Sequence, residues 1–482
     1  MAYQLFIGGK WVNSSSGETF QSLNPTTGKS LGTFQKGNEK DIIKAIDSAE
    51  KAYPQWSSTP APKRGEILLK AAQILRKRKK ELSQLVTKEM GKVIIEGEGD
   101  VQEAIDICEY MAGEGRRLFG HTTTSELKNK FAMTIRVPVG VVACITPWNF
   151  PIAIPAWKIT AALICGNTIV FKPSSDSPLC ATKFVEVLEQ AGLPKGVLNM
   201  VTCPGKAFEP AVKDKRVRCI SFTGHKDTGK RITEIAGIKR ISLELGSKNA
   251  TVVMDDADLD LAVDGILWSA FGTQGQRCTA CSRVIVHEKV KSEFEKRLVK
   301  RVKKIKIGDP LDHKTEMGPL VNKAQHEKVT KFLGIGKSEA KLLYYQPIKK
   351  GNYFSPAIFT DAKENMSICQ NEIFGPILAI MTCKSLKHAI QIVNSVDYGL
   401  VSAIYTNDVT NAMHWSQTIE TGLTYVNAPT IGAEVHLPFG GVKQSGHGKE
   451  AGIHGIDDYS DIKAVYFDYS GRLQRAQIDV KK

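Results

Sequence analysis

A carboxylate and a thiol that could act together in catalysis stand at the ends of predicted elements in the middle of the chain. Glu244 follows a β-type run at 240–243, and Gly246 comes two residues later. Cys278 has small and polar neighbours, unlike a thiol buried among Leu, Ile and Val. A carboxylate can serve as a general base and a thiol as a nucleophile. The pair alone does not establish an active site, because most Glu and Cys residues serve solvation or packing.

The composition is that of a basic globular protein. The chain has 482 residues, enough for two or three domains, of which 42% are hydrophobic and 24% charged. The net charge of +15 indicates a lysine-rich surface, with attraction of anionic ligands as the alternative. The basic runs at 76–80 and 300–304 lie in helical patterns without interleaved aromatic residues. We therefore expect no nucleic-acid partner.

Cysteine usage and hydropathy indicate the class of compartment. Ten cysteines without regular spacing are typical of reduced thiols, so we expect a cytoplasmic protein. The N-terminus shows no signal-peptide pattern, and proline, asparagine and lysine interrupt the most apolar region, 137–171. We expect no membrane span. No histidine pair has the spacing of a zinc site, and we expect no metal.

Apolar strands alternate with helices from residue 139 onward and predict an α/β fold. The predicted strands are 140–145, 168–172, 198–202, 218–222 and 240–243. This alternation indicates a parallel sheet covered on both faces, whose ligands bind at the C-terminal ends of the strands. Those ends carry the unusual polar residues of this half: 147–149, 172–175, 203–205, 223–224 and Glu244.

A second α/β segment follows residue 249. Its predicted elements are helices at 259–272 and 291–304 and a strand at 282–287, with a last strand at 464–469. The predicted helices 208–213 and 228–236 belong to the first half. Residues 121–138 alternate like an exposed strand and predict an arm. The segment 224–231 is similar to a P-loop, but Arg231 replaces the hydroxyl that holds magnesium, so we expect no NTPase.

Six blocks of sequence, spread over most of the chain, carry a family resemblance. They are 147–151 (PWNFP), 222–224 (FTG), 243–246 (LELG), 275–278 (GQRC), 372–376 (EIFGP) and 438–441 (PFGG). On these blocks the chain resembles the aldehyde dehydrogenase superfamily. Residues 57–65, 110–115 and 278–280 are most similar to the semialdehyde branch, especially 2,5-dioxopentanoate (α-ketoglutarate semialdehyde) or succinate-semialdehyde dehydrogenases.

The resemblance implies three parts and a homo-oligomer, either a dimer or a tetramer. The first is a Rossmann-like parallel-sheet NAD(P)-binding domain at 1–120 and 139–246. The second is an α/β catalytic domain at 247–445. The third is a small β oligomerisation arm at 121–138 and 460–482.

The resemblance also assigns the catalytic residues. Cys278 is the nucleophile, and a thiol suits attack on an aldehyde because it is partly ionised near neutral pH. Asn149 and the Cys278 backbone N–H would stabilise the oxyanion, although Asn149 could instead cap the following turn. Glu244 would activate the water that hydrolyses the thioester. The alternatives are a coenzyme-A-acylating dehydrogenase and a catalytically silent binding protein on the same fold.

The resemblance places NAD(P) on a set of residues at the strand ends. Lys172 and Ser175 would meet the adenine ribose, and Glu372 and Phe374 the nicotinamide ribose and ring. The remaining cofactor residues are Thr146, Pro147, Trp148, Gly205, Thr223, Gly224, His225 and Leu245. Three positions depart from the family pattern: His225 and Ser247 replace a common Ser and Gly, and Asn371 replaces a frequent Glu. His225 puts the pyrophosphate contact in doubt.

The residue at position 175 bears on the choice of cofactor. NAD enzymes place a carboxylate on the adenine-ribose 2′-OH, which repels the 2′-phosphate of NADP. In this family that acid often stands three residues after the lysine, and here Ser175 follows Lys172 at that spacing. A hydroxyl and an ammonium can bind phosphate, so we expect NADP to be preferred and NAD accepted. Asp176 complicates this prediction if its side chain points into the site.

The resemblance implies an aldehyde-binding tunnel that is mostly apolar with one cation. Its residues are Phe150, Ile154, Trp157, Arg277, Thr279, Ile431, Ala433 and Phe439. Arg277 is the candidate for binding a substrate carboxylate bidentately, unless it faces solvent or pairs with a protein carboxylate. Cys281, three residues after Cys278, raises the hypothesis of a reversible disulfide switch.

Overall fold

The computed structural model describes residues 2–479, so Met1 and residues 480–482, the end of the predicted arm, lie outside the described residues. The predicted α/β architecture is confirmed. It consists of two large sheets rich in parallel strands, helices that cover them, and a small separate β-sheet. No helix in the described part of the chain is long and apolar enough to cross a membrane.

The first sheet has eight strands, and its five central strands are parallel. In spatial order the strands are Lys10–Val12, Leu5–Ile7, Leu198–Met200, Thr168–Lys172, Val141–Ile145, Val217–Thr223, Arg240–Glu244 and Gly446–His447. Ile145 is paired with Lys172, and Thr223 with Glu244. The polar residues that end these strands therefore lie side by side at one edge, as the sequence pattern predicts.

The central strands are buried on both faces. Val142 and Cys144 pack into the hydrophobic cluster on one side of the sheet, whereas Val141 and Ala143 pack into the cluster on the other. This alternation follows from the two-residue period of a strand, and explains why the sequence is apolar at every position.

The second sheet has seven strands, all parallel except at one edge. In spatial order they are Lys341–Tyr345, Ala357–Thr360, Ile377–Cys383, Arg283–His287, Ala250–Val253, Val401–Tyr405 and Leu423–Val426. The chain passes from Glu244, at the end of the first sheet, to Ala250, at the start of a central strand of the second. The C-terminal edge of one sheet therefore faces the N-terminal edge of the other.

Thirteen α-helices lie in the described part of the chain. They are Glu39–Ser58, Ala61–Met90, Ile94–Glu114, Ala153–Cys165, Pro178–Gln190, Glu209–Lys213, Lys226–Ala236, Leu259–Phe271, Lys291–Val302, Lys323–Glu339, Ser367–Gln370, Leu386–Asn394 and Val409–Thr418. The 3₁₀ turns are Gly205–Phe208, Gly272–Gly275 and Ile453–Tyr459. Two further strand pairs are Thr19–Leu23 with Ser30–Gln35, and Tyr398–Gly399 with Val442–Lys443.

The small sheet joins the two segments of the predicted arm. Its strands are Ser460–Asp468, Lys130–Pro138 and Thr122–Thr124, in that order. The predicted strand 464–469 in fact runs Ser460–Asp468, because antiparallel pairing with Lys130–Pro138 continues through 460–463, where three of the four residues are polar or charged. The predicted strand 198–202 is shorter, and ends at Met200.

A buried carboxylate anchors the start of the helix Pro178–Gln190. Glu89 is fully buried and accepts hydrogen bonds from the Leu179 and Cys180 backbone N–H groups, at 2.9 and 2.8 Å, and from the Ser22 hydroxyl at 2.7 Å. The helix has no side-chain cap of its own at Ser177. Glu89 therefore provides the acceptor that free helix amides require, and fixes the loop that follows Lys172.

Replacing Glu89 by alanine should lower the free energy of unfolding by about 3 kcal/mol, because three buried donors lose their acceptor. Chemical denaturation monitored by fluorescence measures this change. The matched control is Glu66→Ala on the helix Ala61–Met90, where the carboxylate makes an exposed pair with Lys63. That control should cost about 0.5 kcal/mol or less. Equal effects of the two substitutions would contradict the anchoring role.

Candidate active site

The predicted nucleophile lies where two cavities meet. Glu244 ends a central strand of the first sheet, and Cys278 lies in the turn after Gly272–Gly275. Both line a cavity of about 130 Å³. Cys278 also lines a second cavity of about 170 Å³, together with Asn149. The structure therefore brings the three predicted catalytic residues together, although they come from three separate segments of the sequence.

Hydrogen bonds hold the turn that carries Cys278. The Cys278 carbonyl accepts from the Asn249 side-chain amide at 2.6 Å and from the Ser247 hydroxyl. The Asn149 side-chain amide donates to the Gln276 carbonyl at 3.1 Å, which leaves its second N–H free. The Cys278 backbone N–H donates to no residue that the structure describes. Two donors beside the thiol are thus available for an oxyanion.

The protonation state of the Cys278 thiol differs from the one predicted from the sequence. Burial, and then the carboxylates of Glu244, Glu372 and Glu450, raise the pKa of the Cys278 thiol above its usual value. The sequence-based expectation of a thiol that is partly ionised near neutral pH is therefore wrong for this arrangement. The thiol needs a proton acceptor when it attacks.

Glu244 is a buried acid with a perturbed pKa. Its side chain is 3% exposed, and neither carboxylate oxygen hydrogen bonds to a residue within 2–479. Burial and then the nearby Glu450 carboxylate raise the pKa of Glu244 well above its usual range, while Lys158 and Lys449 lower it. A carboxyl with a raised pKa in a cavity is suited to general acid–base chemistry.

A buried network next to Glu244 was not predicted. Glu450, which lines the same cavity, is paired with the buried Lys158. The Lys158 ammonium also donates to the Ser221 hydroxyl at 2.9 Å, and the Tyr459 hydroxyl donates to the same oxygen at 2.9 Å. A lysine within the otherwise apolar helix Ala153–Cys165 is the sequence signal that could have pointed to this network.

A cleft of about 510 Å³ along the edge of the first sheet contains most of the predicted cofactor residues. Those that line it are Thr146, Pro147, Trp148, Lys172, Gly205, Thr223, Gly224 and His225. Ser175 is not among them: it is exposed, with its hydroxyl 3.4 Å from the Cys203 carbonyl, and its neighbour Ser174 lines the cleft instead.

The cleft has the features of a nucleotide site. The Thr146 hydroxyl is buried without a hydrogen-bonding partner among residues 2–479, and the start of the helix Lys226–Ala236 opens into the cleft. Helix N-termini favour phosphate, so the residues present fit NAD(P). His225, which departs from the family pattern, accepts from the Asp227 backbone N–H at 3.3 Å and thus caps this helix.

The second cavity connects this cleft with Cys278. Leu245, Glu372 and Phe374 line it, as do Gln325 and Lys328, which were not predicted. The Glu372 carboxylate accepts from the Ser247 backbone N–H at 2.8 Å. Phe374 lies edge-on to Trp148 at 5.5 Å. The Gln325 amide donates to the Phe374 carbonyl at 2.6 Å and so holds this residue, whose φ is +59°.

The cavity on the other side of Cys278 matches the predicted tunnel except at one residue. Phe150, Ile154, Trp157, Arg277, Thr279, Ala433 and Phe439 line it. Ile431 does not: it is buried in the packing behind the cavity, and Gly432 lines the cavity in its place. Glu103, which was not predicted, also lines the cavity, and burial raises its pKa to about 8.

Arg277 is already engaged inside the protein. Its Nη2 donates to Glu96 at 3.0 Å and its Nε to the Thr273 hydroxyl at 2.8 Å. The alternative of a pair with a protein carboxylate is therefore what the structure shows. Nη1 is the guanidinium nitrogen left without a partner among residues 2–479, so the fork formed by Nε and Nη2 is not available to a substrate.

Cys281 lies in a different environment from Cys278. It is buried in the cluster behind the second sheet, its thiol donates to the Arg283 carbonyl at 3.4 Å, and burial raises its pKa to about 11. Cys278 packs instead against the cluster of the first sheet. This environment favours a packing role for Cys281. Among residues 2–479 no group of three or more His, Cys, Asp or Glu could hold a metal ion.

Comparisons with known proteins agree with this geometry. A family model described as "Aldehyde dehydrogenase family" matches residues 11–465. The chain is 39% identical over 477 residues to an alpha-ketoglutarate semialdehyde dehydrogenase of Haloferax volcanii. The matched region covers 96% of this chain and 98% of that protein. A betaine aldehyde dehydrogenase of Staphylococcus aureus in complex with NAD+ is similar in structure, with a TM-score of 0.96, 32% identity and coverage of 98% of this chain and 96% of that one. An E. coli NADP-dependent enzyme gives a TM-score of 0.94 and 34% identity, and covers 97% of this chain and 98% of that one.

Glu450→Gln should shift the pH dependence of turnover to lower pH. Glu244 accepts a proton only when ionised, so the rate rises with pH through the pKa of this carboxyl. Glu450 is the largest charged cause that raises this pKa, and its removal should lower the pKa. Rate–pH profiles at saturating substrate measure the shift. Glu288→Gln, which changes an exposed carboxylate, is the control and should leave the profile in place. If the rising part of the profile is unchanged or moves to higher pH in Glu450→Gln, then Glu450 does not raise the pKa that controls the rate.

Proposed function

The chain belongs to the aldehyde dehydrogenase family, and we propose that it oxidises a short semialdehyde to its carboxylic acid through a thioester on Cys278. NAD(P)-dependent oxidation of an aldehyde is the activity of this family. The observation that carries the proposal is the position of Cys278 between two cavities. One contains Glu244 and an apolar lining, and the other contains Glu372 and Phe374.

In the first step the Cys278 thiol adds to the aldehyde carbon. Because burial and the neighbouring carboxylates raise the pKa of this thiol, its proton must pass to an acceptor as the carbon–sulfur bond forms. Glu372 lines the second cavity together with Cys278 and is a candidate acceptor, so that Glu244 remains ionised for the third step. The free N–H of Asn149 and the Cys278 backbone N–H donate to the developing oxyanion.

In the second step the tetrahedral adduct collapses to the thioester, and a hydrogen leaves the carbon with its electron pair. The bound nicotinamide supplies the acceptor for this hydride. On the protein side, Trp148 and Phe374 shape the second cavity, and Glu372 is held in place by the Ser247 backbone N–H. These residues would hold a nicotinamide in the second cavity, next to Cys278.

In the third step Glu244 takes a proton from the water that attacks the thioester. The acid is released and the Cys278 thiol is regenerated. Lys158 and Glu450 adjoin Glu244 and begin a buried polar network that continues to Ser221 and Tyr459. The same carboxyl distinguishes this hydrolytic route from transfer of the acyl group to coenzyme A.

The semialdehyde is proposed on two grounds. The first is the similarity to an alpha-ketoglutarate semialdehyde dehydrogenase. The second is Arg277, which is the one Lys, Arg or His among the described residues that line the cavity. The free Nη1 of Arg277 can make a single hydrogen bond to a substrate carboxylate.

The domain boundaries belong to the same proposal. The NAD(P)-binding domain comprises 1–120 and 139–246, and the catalytic domain comprises 247–445. The arm, 121–138 with 460–482, pairs with a second copy of the chain in a homo-oligomer. Exposed apolar residues on its final strand support this: Ile462 is 58% exposed, Tyr466 65% and Phe467 53%.

Glu244→Gln should give one burst of reduced cofactor per active site and no sustained turnover, because the amide cannot activate water for deacylation. Stopped-flow absorbance of the reduced cofactor measures the burst. Cys278→Ala is the matched control and should give neither burst nor turnover while still binding cofactor. A burst from Cys278→Ala would show that the nucleophile is another residue. Acyl-CoA instead of free acid after addition of coenzyme A would favour the acylating alternative.

We propose that NADP is preferred over NAD. The Asp176 carboxylate accepts a hydrogen bond from the side-chain amide of Asn322, at 3.0 Å, and does not line the cleft. Asn322 is the residue that caps the helix Lys323–Glu339. Three cations, Lys172, Lys206 and Arg231, do line the cleft, together with Asp227 and with Glu209, which is paired with Arg231. The arrangement supports binding of a 2′-phosphate, since the acid that would repel it is engaged elsewhere.

Ser175→Glu should shift the ratio of kcat/KM values toward NAD by at least about tenfold, or about 1.4 kcal/mol, because the longer glutamate side chain, next to the cleft-lining Ser174, would bring in a carboxylate that repels the 2′-phosphate. Steady-state rates with each cofactor measure the ratio. Asp176→Asn is the control and should leave the ratio unchanged. A shift toward NADP in Asp176→Asn would identify Asp176 as the ribose-binding acid, and would contradict this account.

A further inference from the structure

Two of the carboxylates on the helix Ile94–Glu114, those of Glu96 and Asp100, lie one turn apart on the side that faces the active site. Glu103, on the next turn of the same side, lines the substrate cavity. The catalytic steps above use neither Glu96 nor Asp100. Each carboxylate nevertheless accepts hydrogen bonds from a backbone segment that presents a proposed catalytic group.

Glu96 holds the segment that leads to Cys278. Its two oxygens lie 2.8 and 3.0 Å from the Thr273 backbone N, and the first also accepts from Arg277 at 3.0 Å. Thr273 and Gln274 have φ values of +50° and +57°. Such values are costly for residues with a side chain, and most costly for a β-branched one such as Thr. An anionic acceptor on the Thr273 amide therefore stabilises a strained turn directly before the nucleophile.

Asp100 holds the segment that carries Asn149. Its side chain is fully buried and accepts from the backbone N–H groups of Ile152 and Ala153, at 3.3 and 2.7 Å. These are the first amides of the helix Ala153–Cys165, which has no side-chain cap at Ile152. Asp100 thus provides the cap from another helix, and fixes the turn that starts at Asn149.

Further contacts tie the two segments together at Phe150. The Lys92 ammonium, which donates to Asp100 at 3.1 Å, lies 3.6 Å from the centre of the Phe150 ring. The Arg277 guanidinium carbon, held through Glu96, lies 5.4 Å from the same ring. Two cations, each paired with one of the two carboxylates, therefore contact the residue that follows Asn149.

We propose that Glu96 and Asp100 are positioning residues that hold the two halves of the oxyanion site in register. Glu96 sets the turn that presents the Cys278 backbone N–H, and Asp100 sets the turn that presents the Asn149 amide. This inference rests on the proposed roles of Cys278 and Asn149. It assigns the Glu96–Arg277 pair first to the geometry of the nucleophile turn, and only second to the orientation of Arg277 toward a substrate.

The test is the rate constant of the pre-steady-state burst of reduced cofactor, with an uncharged aldehyde, in Glu96→Gln and Asp100→Asn. Each substitution should lower this rate constant by at least about tenfold, since small displacements of catalytic groups cost one to two orders of magnitude. The burst amplitude and the affinity for NADP should remain unchanged. The amplitude counts folded active sites, so partial unfolding lowers the amplitude and cannot imitate a slower rate constant.

Matched variants separate the inference from its premise. Glu98→Gln removes the same charge from the same helix, at a residue with no ion pair within the described chain, and should keep the parent rate constant within about twofold. Arg277→Met combined with Glu96→Gln should be no slower than Glu96→Gln alone, because residues that act as one unit are not additive.

A burst from Cys278→Ala would overturn the proposed function itself. A rate constant within twofold of the parent in Glu96→Gln or in Asp100→Asn would overturn the inference for that residue, and an equal fall in Glu98→Gln would overturn it for both.

Discussion

Burial of the Glu244 carboxyl beside a thiol is the constraint on which the rest of the site depends. A carboxylate away from water and without a hydrogen-bonding partner is strongly disfavoured, so it shifts its pKa upward. Glu450 strengthens this shift, and Lys158 opposes it. The result is a carboxyl that can exchange a proton with its surroundings instead of remaining permanently ionised. Burial in the same region, and then the Glu244 carboxylate itself, raise the pKa of the Cys278 thiol. The protonation state of the thiol therefore depends on that of Glu244.

The meeting of two sheets makes this burial possible. The first sheet contributes the C-terminal ends of its strands, where the residues after Ile145, Lys172 and Thr223 lie along the same edge as Glu244. The second sheet contributes its N-terminal edge, where Asn249 precedes a central strand and fixes the Cys278 carbonyl. Because the connection from Glu244 to Ala250 is short, the two edges are held face to face. Cys278 therefore has one cavity on each side.

Sequence patterns predicted the regular elements well, and the network between them poorly. Strands such as Thr168–Lys172 were predicted because burial on both faces makes every position apolar. The catalytic trio came from a family resemblance, and the structure brings Cys278, Glu244 and Asn149 together. The Lys158–Glu450 pair was missed because the partners are far apart in the sequence and only the fold makes them neighbours. The predicted ionisation of Cys278 was wrong for a similar reason, since burial and then carboxylates from distant segments raise the pKa of its thiol, and only the fold creates this environment.

The most direct test of this account is to locate the acyl group during catalysis. Glu244→Gln protein mixed with aldehyde and cofactor is quenched in acid, digested, and analysed by mass spectrometry for a thioester on the peptide that contains Cys278 and Cys281. We expect one acyl group per chain, and fragmentation should place it on Cys278. An unmodified Cys278, or an acyl group on Cys281, would show that Cys278 is not the nucleophile whose product Glu244 releases.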